Sequence, residues 1–470
     1  MVFSGITFLL YFFPLFFIAY FLLPSRFKNL GLLIGSIVFY AWGAPKFVFV
    51  LLASTIIDFY VVRQLYRSKE TSKKKWLALS ISLNLGLLIY FKYANFFVEN
   101  ANVFLQSLQI GSINLAEIAL PIGISFYTFQ TLTYSIDVYR GTDRPLKSVT
   151  DYVLYIMMFP QLIAGPIVRY NEIADQIRHR LFSERNIVEG FIRFAIGLSK
   201  KVLIANTLAS TADLVFDLSA NDLTSSTAWL GILLYTFQIY FDFAGYSDMA
   251  IGLGKMLGFK FPENFDSPYT SISITEFWRK WHITLGRFMR EYLYLPLGGN
   301  RNGIGKTYRN LFIVFLLSGL WHGASWNFVL WGAFHGFFLV IERLTGLAKS
   351  NKWRVPRTIL TFLIVMLGWV VFRIEHTSDA WVYYSKLFSF STDIPIYIYR
   401  KKLLLTLIIA VAFSFISITA FGRKWENHYY FTAFSKKSLI IYFVIAMVLF
   451  LWSVASLSTG SFNPFIYFRF

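Results

Sequence analysis

Two short stretches carry the residue types best suited to chemistry: Phe277-Trp-Arg-Lys-Trp-His282 and Gly319-Leu-Trp-His-Gly323. Each sets a histidine beside tryptophan in an apolar sequence. The second lies inside a hydrophobic run from about Leu311 to Val340, where a titratable group is costly. Ionisable groups at membrane depth are functional candidates by default. Only six histidines occur, and three of them (His282, His322 and His335) fall within this one region. A neutral imidazole at His322 suits a general base near pH 7. The plain alternative is a histidine hydrogen-bonded between packed helices. Glycines on both sides of His322 permit close backbone approach and a helix break.

Other constellations could serve these histidines. Trp278, Trp281, Leu285, Phe288 and Tyr292 recur at spacings of three or four, with Arg279, Lys280, Arg287 and Arg290 on the remaining faces. That pattern predicts a basic amphipathic helix over 277–294 at the cytoplasmic interface, either an anchor or a binding surface. His282 sits beside its apolar stripe. Pro296-Leu-Gly-Gly-Asn-Arg301 follows as a glycine turn, in which Asn300 and Arg301 can meet a phosphate or simply face water. Arginine forks suit phosphate, so Arg279, Arg287, Arg290, Asn300 and Arg301 are the candidate residues for binding a phosphate-bearing ligand.

Asp242 and Asp248 stand near the end of an apolar run. They either shape a polar cavity or serve as counter-ions, with Arg279 or Lys255 as the expected cations. Ser125 and Gln130 suit a cavity wall behind the helix breakers Pro121 and Gly123, or ordinary small-residue packing. No serine nucleophile elbow, Asp-x-Asp pair or His-Glu-x-x-His motif occurs, so no metal site is expected. Gly305-Lys-Thr307 lacks the first glycine of a phosphate-binding loop, because Asn300 occupies that position.

The elements that must position these residues are membrane helices. The sequence is 56% hydrophobic, 20% aromatic and 15% charged, against about 25% charged in soluble domains. Mean hydropathy is +0.55. Apolar runs at about 3–23, 30–44, 47–64, 76–91, 118–136, 227–245, 310–341 (two short helices), 357–373, 402–421 and 437–456 read as spans. The first reads as a retained helix rather than a signal peptide. The runs 152–168 and 186–209 carry basic flanks or a central Lys200-Lys201, and read as re-entrant or interfacial.

The expectation is an all-α, polytopic membrane protein of one domain, 1–470, with roughly 10–12 transmembrane helices. The net charge of +19 sits mostly in short connections. That is the positive-inside pattern, and it argues for lipid headgroups and against nucleic acid. Arg63–Lys75 and Arg343–Arg357 are expected in the cytoplasm and both termini outside. Arg400, Lys401 and Lys402 fall on the outer side against that rule. The absence of cysteine excludes disulfides, thiolate metal sites and a cysteine nucleophile.

With these motifs in view, the sequence resembles the membrane-bound O-acyltransferase (MBOAT) family, in particular the branch containing the membrane subunit of alginate O-acetyltransferase. The similarity rests on Trp-His-Gly-Ala-x-Trp and Trp-Gly-x-x-His-Gly within Gly319–Gly336. It rests equally on Phe-Trp-x-x-Trp-His leading to Tyr-Leu-Pro-Leu-Gly-Gly-Asn-Arg within Thr275–Arg301. Pro121–Gly141, Phe159–Arg169 and Tyr240–Gly258 are similar as well. The resemblance implies tilted helices with re-entrant and interfacial segments around a central tunnel. It implies His322 as the catalytic histidine and His282 as the second. Ser125, Gln130, Asp242, Asp248, Trp321, Trp326 and His335 are then expected to line the tunnel.

It also implies acetyl-CoA as cytoplasmic donor, with no tightly bound cofactor. An extracytoplasmic partner protein, a polysaccharide as final acceptor, membrane lipid around the helices and a bacterial inner-membrane location follow from it too. The related branch that transfers D-alanine toward teichoic acid shares both histidines, so D-alanyl transfer from a carrier protein is the nearer alternative. A proton-coupled transporter or flippase is the alternative of another class.

Overall fold

The computed structural model describes residues 1–180, 182–350, 352–391, 401–431, 434–460 and 462–466; Arg400 therefore lies outside the described residues. Among these residues the chain is helical throughout, and its only strand-like contact is an isolated antiparallel bridge between Phe265 and Trp281. Two compact units form. One comprises Met1–Ser183 with Leu257–Phe261, the other Glu184–Met256 with Pro262–Phe470.

Among the described residues, five helical segments are long and apolar enough to cross a membrane: Phe47–Arg67, Glu70–Ser107, Arg354–Arg373, Lys401–Ile418 and Lys436–Thr459. Thr7–Leu22 is a shorter apolar helix. Hydrophobic side chains on the outside of such helices are what a lipid solvent demands: Leu404, Leu405, Ile408, Ile440, Val444 and Val448 all lie on the exterior. The chain is a multi-pass membrane protein.

In the first unit the expected span at 76–91 is part of the longer Glu70–Ser107 helix, which a π-turn interrupts at Ile89–Tyr93. Its interior is polar in one place. Asp58 accepts hydrogen bonds from Ser80 (2.6 Å), Asn84 (2.9 Å) and Tyr152 (2.6 Å). Neutral donors thus satisfy a buried carboxyl group, as a low-dielectric interior requires. The basic Arg63–Lys75 connection holds the turn between the Phe47–Arg67 and Glu70–Ser107 helices. With that turn in the cytoplasm, a cysteine placed at Lys73 stays unlabelled by membrane-impermeant maleimide in intact cells and reacts after permeabilisation. Ready labelling of intact cells inverts the topology.

The second unit is built on the 32-residue helix Ser225–Met256, of which 27 residues are buried. The stretch 186–209 belongs to continuous helix from Glu184 to Phe216, with a π-segment at Lys200–Ala205. The charges that marked it as interfacial are neutralised from the long helix. Lys201 pairs with Asp242 at 2.8 Å, while Arg193 and Lys200 pair with Asp248 at 2.7 and 2.6 Å. Glycines let these two helices touch: a Cβ on Gly197 would stand 2.6 Å from the Gly245 carbonyl oxygen.

The predicted amphipathic helix over 277–294 is also interrupted. Helix Ile274–Lys280 stops, Trp281 and His282 form a break, and Ile283–Phe288 then runs into a π-turn, Met289–Tyr294. The apolar stripe survives the break, because Trp281, Leu285 and Phe288 are buried.

Candidate active site

His322 is the last residue of helix Ile304–His322, and Gly323 turns the chain extended before helix Trp326–Leu344 begins. These two helices pack backbone to backbone. A Cβ on Gly319 would stand 2.1 Å from the Phe328 carbonyl oxygen, and one on Gly332 would stand 2.3 Å from that of Phe315. This approach carries Trp331 to the His322 ring. The imidazole is 4% exposed, with ring centroids 4.9 Å from Trp321, 5.1 Å from Trp331 and 5.2 Å from Phe372. Edge-to-face aromatic packing of this kind fixes a ring's orientation while keeping water away.

His335 lies one turn beyond Trp331 on the same helix, fully buried, 5.0 Å from both Trp278 and Trp331. Neither of its ring nitrogens has a hydrogen-bond partner among the described residues.

His282 is 1% exposed and occupies the left-handed region at φ 46°. A non-glycine residue held there marks strain that the surroundings over-determine. The surroundings are specific: the Asp266 N–H donates to the Lys280 carbonyl (3.0 Å), and the Ile283 N–H donates to the Asn264 carbonyl (3.0 Å). These bonds clip the break onto segment 264–266.

His282 Nδ1 lies 3.0 Å from Asn264 Oδ1, which also accepts from the Thr284 N–H (3.3 Å) and the Thr284 hydroxyl (2.9 Å). A backbone N–H can only donate, so the atom facing His282 is the amide oxygen. His282 therefore carries its proton on Nδ1 and presents a lone pair at Nε2. Nε2 is buried with no partner among the described residues. His282 lies outside the candidate spans, and burial pushes it down to about 3, so the ring is neutral at ordinary pH. Its ring centroid is 5.9 Å from that of Trp321, and the same indole is in contact with His322. One buried tryptophan thus packs against two imidazoles.

Residues 142–375, which contain all three of these histidines, match the profile of MBOAT, the membrane-bound O-acyltransferase family. The full chain is 42% identical over 502 residues to the probable alginate O-acetylase AlgI of Azotobacter vinelandii, covering 100% of both chains. The chain belongs to the membrane-bound O-acyltransferase family. It is 47% identical over 395 residues to the probable alginate O-acetylase AlgI of Pseudomonas aeruginosa, covering 83% of this chain and 76% of that protein. It is 38% identical over 417 residues to the peptidoglycan O-acetyltransferase of Helicobacter pylori, covering 81% and 78%. The chain is an O-acyltransferase.

The acyltransferase structure distributes the expected site residues unevenly. Trp321 is buried against both imidazoles, as above, whereas Trp326 is 57% exposed at the start of its helix. Asp242 and Asp248 are ion-paired with Lys201 and with Arg193 and Lys200, not with Arg279 or Lys255; Lys255 pairs with Glu189 at 2.5 Å. Ser125 and Gln130 are buried in the first unit, where Ser125 accepts from Lys92 at 3.1 Å. Arg279, Arg287, Arg290, Asn300 and Arg301 are all exposed. Asn300 accepts from Tyr294 and, at 3.3 Å, from Arg343.

Two cavities share Lys200, Tyr240, Glu426 and Tyr430. One, of ≈ 550 Å³, is walled mainly by apolar residues such as Leu405, Ile409, Phe413 and Leu449. The other is polar, ≈ 10 Å³, and reaches Ser247, Asp248 and Asn264. Asn264 was not a sequence candidate. The only signal was the polar pair Glu263-Asn264 set after Pro262 among phenylalanines.

Proposed function

We propose that this O-acyltransferase passes an acetyl group from acetyl-CoA on the cytoplasmic side to the hydroxyls of an extracytoplasmic polysaccharide, in a bacterial inner membrane and with an extracytoplasmic partner protein. Two kinds of relative carry names that join acetyl groups to cell-envelope polymers, which supports the polysaccharide reading. The observation that carries the mechanism is the buried pair His322 and His282, both packed against Trp321.

In this reading His322 is the general base. It takes the proton of the acceptor hydroxyl as the hydroxyl oxygen forms a C–O bond to the acetyl carbonyl carbon. The C–S bond breaks, and the imidazolium returns the proton to the leaving thiolate. His282 already carries its proton on Nδ1. Its Nε2 lone pair instead orients a hydroxyl by accepting its hydrogen bond. A dry aromatic wall around His322 strengthens each of these interactions. The test is purified protein in detergent with acetyl-labelled acetyl-CoA. Wild type releases free CoA, and that release depends on His322; a protein that binds acetyl-CoA without releasing CoA is no acetyltransferase.

The exposed arginines Arg279, Arg287, Arg290 and Arg301, with Asn300, form the donor entrance in this proposal. Exposed charge contacts contribute about 0.5–1 kcal/mol each. Arg290→Ala and Arg301→Ala therefore raise the KM for acetyl-CoA about two- to fivefold with kcat retained. Lower yield of inserted protein with unchanged KM makes them headgroup anchors instead.

A further inference from the structure

The carboxamide of Asn264 decides which end of His282 meets the reactants. Its oxygen faces His282 Nδ1, the Thr284 N–H and the Thr284 hydroxyl, and its Nδ2 donates to Ser247 Oγ at 3.1 Å. A flipped amide would set NH₂ against the Thr284 N–H, donor against donor, and lose that bond, so the orientation is fixed. Asn264 is 1% exposed, and its own carbonyl holds the Ile283 N–H, which anchors the residue on both sides of the His282 break. The Ser247 that receives Nδ2 sits on the long buried helix beside Asp248, itself locked by Arg193 and Lys200.

We infer that Asn264 is a positioning residue that holds His282 in the Nδ1–H tautomer, so that Nε2 can only accept a hydrogen bond and the subsite facing it takes a hydroxyl-bearing group rather than the thioester carbonyl. A carbonyl oxygen has no proton to offer a bare lone pair. A hydrophobic residue at 264, or one that donates to His282 Nδ1, would release the other tautomer, whose Nε2–H would donate to an oxyanion. The side-chain oxygen at 264 therefore separates a hydroxyl-orienting role from an oxyanion-stabilising one. This rests on the acetyl-transfer reading above only for its rate consequence; the tautomer stands on geometry alone.

The experiment uses full-length protein labelled with ¹⁵N-histidine, the His282 signals being assigned by their loss in His282→Gln. Wild type shows Nδ1 protonated and Nε2 bare. Asn264→Ala shifts His282 toward the Nε2–H tautomer or a mixture, while Asn264→Asp, which keeps an acceptor oxygen, retains Nδ1–H. With acetyl-CoA as donor and alginate oligosaccharide as acceptor, Asn264→Ala lowers kcat about 10–100-fold, the usual range for losing a residue that orients a site group. KM for acetyl-CoA stays within about twofold of wild type.

Persistence of the Nδ1–H tautomer in a folded Asn264→Ala overturns the inference. So does a raised KM for acetyl-CoA with unchanged kcat, because His282 would then face the donor. If His282→Gln keeps full activity while the tautomer responds as stated, the positioning holds and the catalytic reading of His282 is what fails.

Discussion

His322→Ala lowers acetyl-dependent CoA release by about 10²–10⁴, the range that a positioned acid–base group supplies. The protein still inserts and folds. The imidazole's neighbours are rings that also hold one another: Trp331 stacks near Trp369 (5.9 Å) and contacts Phe372 (5.1 Å) and Trp278 (5.3 Å), so the wall does not depend on the histidine. Removing a buried ring nevertheless leaves space, and His322→Gln controls for it by keeping volume and a polar tip while losing the titratable nitrogen. Both variants are expected to fail in CoA release and to elute as wild type in detergent. Activity above about a tenth of wild type in either places the base elsewhere. His335→Gln differs in kind. His335 is enclosed by rings, and Gly368 leaves no spare room, since a Cβ there would stand 2.9 Å from His335 Nε2. Its loss is expected in stability first and in rate only secondarily.

The site was legible where residue type alone is expensive. Histidines among tryptophans in apolar sequence announce themselves, because nothing but function or a satisfied core explains them, and the glycines beside His322 prefigured the tight hairpin of two short helices. The apolar stripe of 277–294 was legible from its period. Its interruption at His282 was not, because the cause is pairing with residues 264–266, and periodicity carries no information about a distant partner. The same limit governs the charges. Lys200-Lys201 in an apolar run looked interfacial until Asp242 and Asp248 came across from another helix to meet them. The two carboxylates and the three cations were all visible in the sequence, but which met which is decided by helix packing through Gly197 and Gly245.

Breaking the Lys201–Asp242 pair is expected to be the costliest single change outside the histidines. The two side chains are 1% and 2% exposed at 2.8 Å, deep between the 184–216 helical stretch and the long helix. Lys201 also donates to the Asn206 side chain (2.8 Å) and to the Pro464 carbonyl, while Asp242 accepts the Ile466 N–H at 2.9 Å. The pair therefore fastens segment 463–466 to the core as well as joining two helices. Removing one partner strands the other charge without solvent, which costs about 3–5 kcal/mol. Asp242→Ala and Lys201→Met should each lower the thermal unfolding midpoint in detergent by several degrees, and CoA release should fall with the folded fraction rather than through KM. The double variant Lys201→Met/Asp242→Leu removes both charges. It should recover most of the lost stability, because a buried pair is often no better than well-packed apolar side chains. Single variants as stable as wild type would mean that water reaches the pair. A double variant worse than either single would mean instead that the tether to 463–466, not the charge balance, is what the carboxylate supplies.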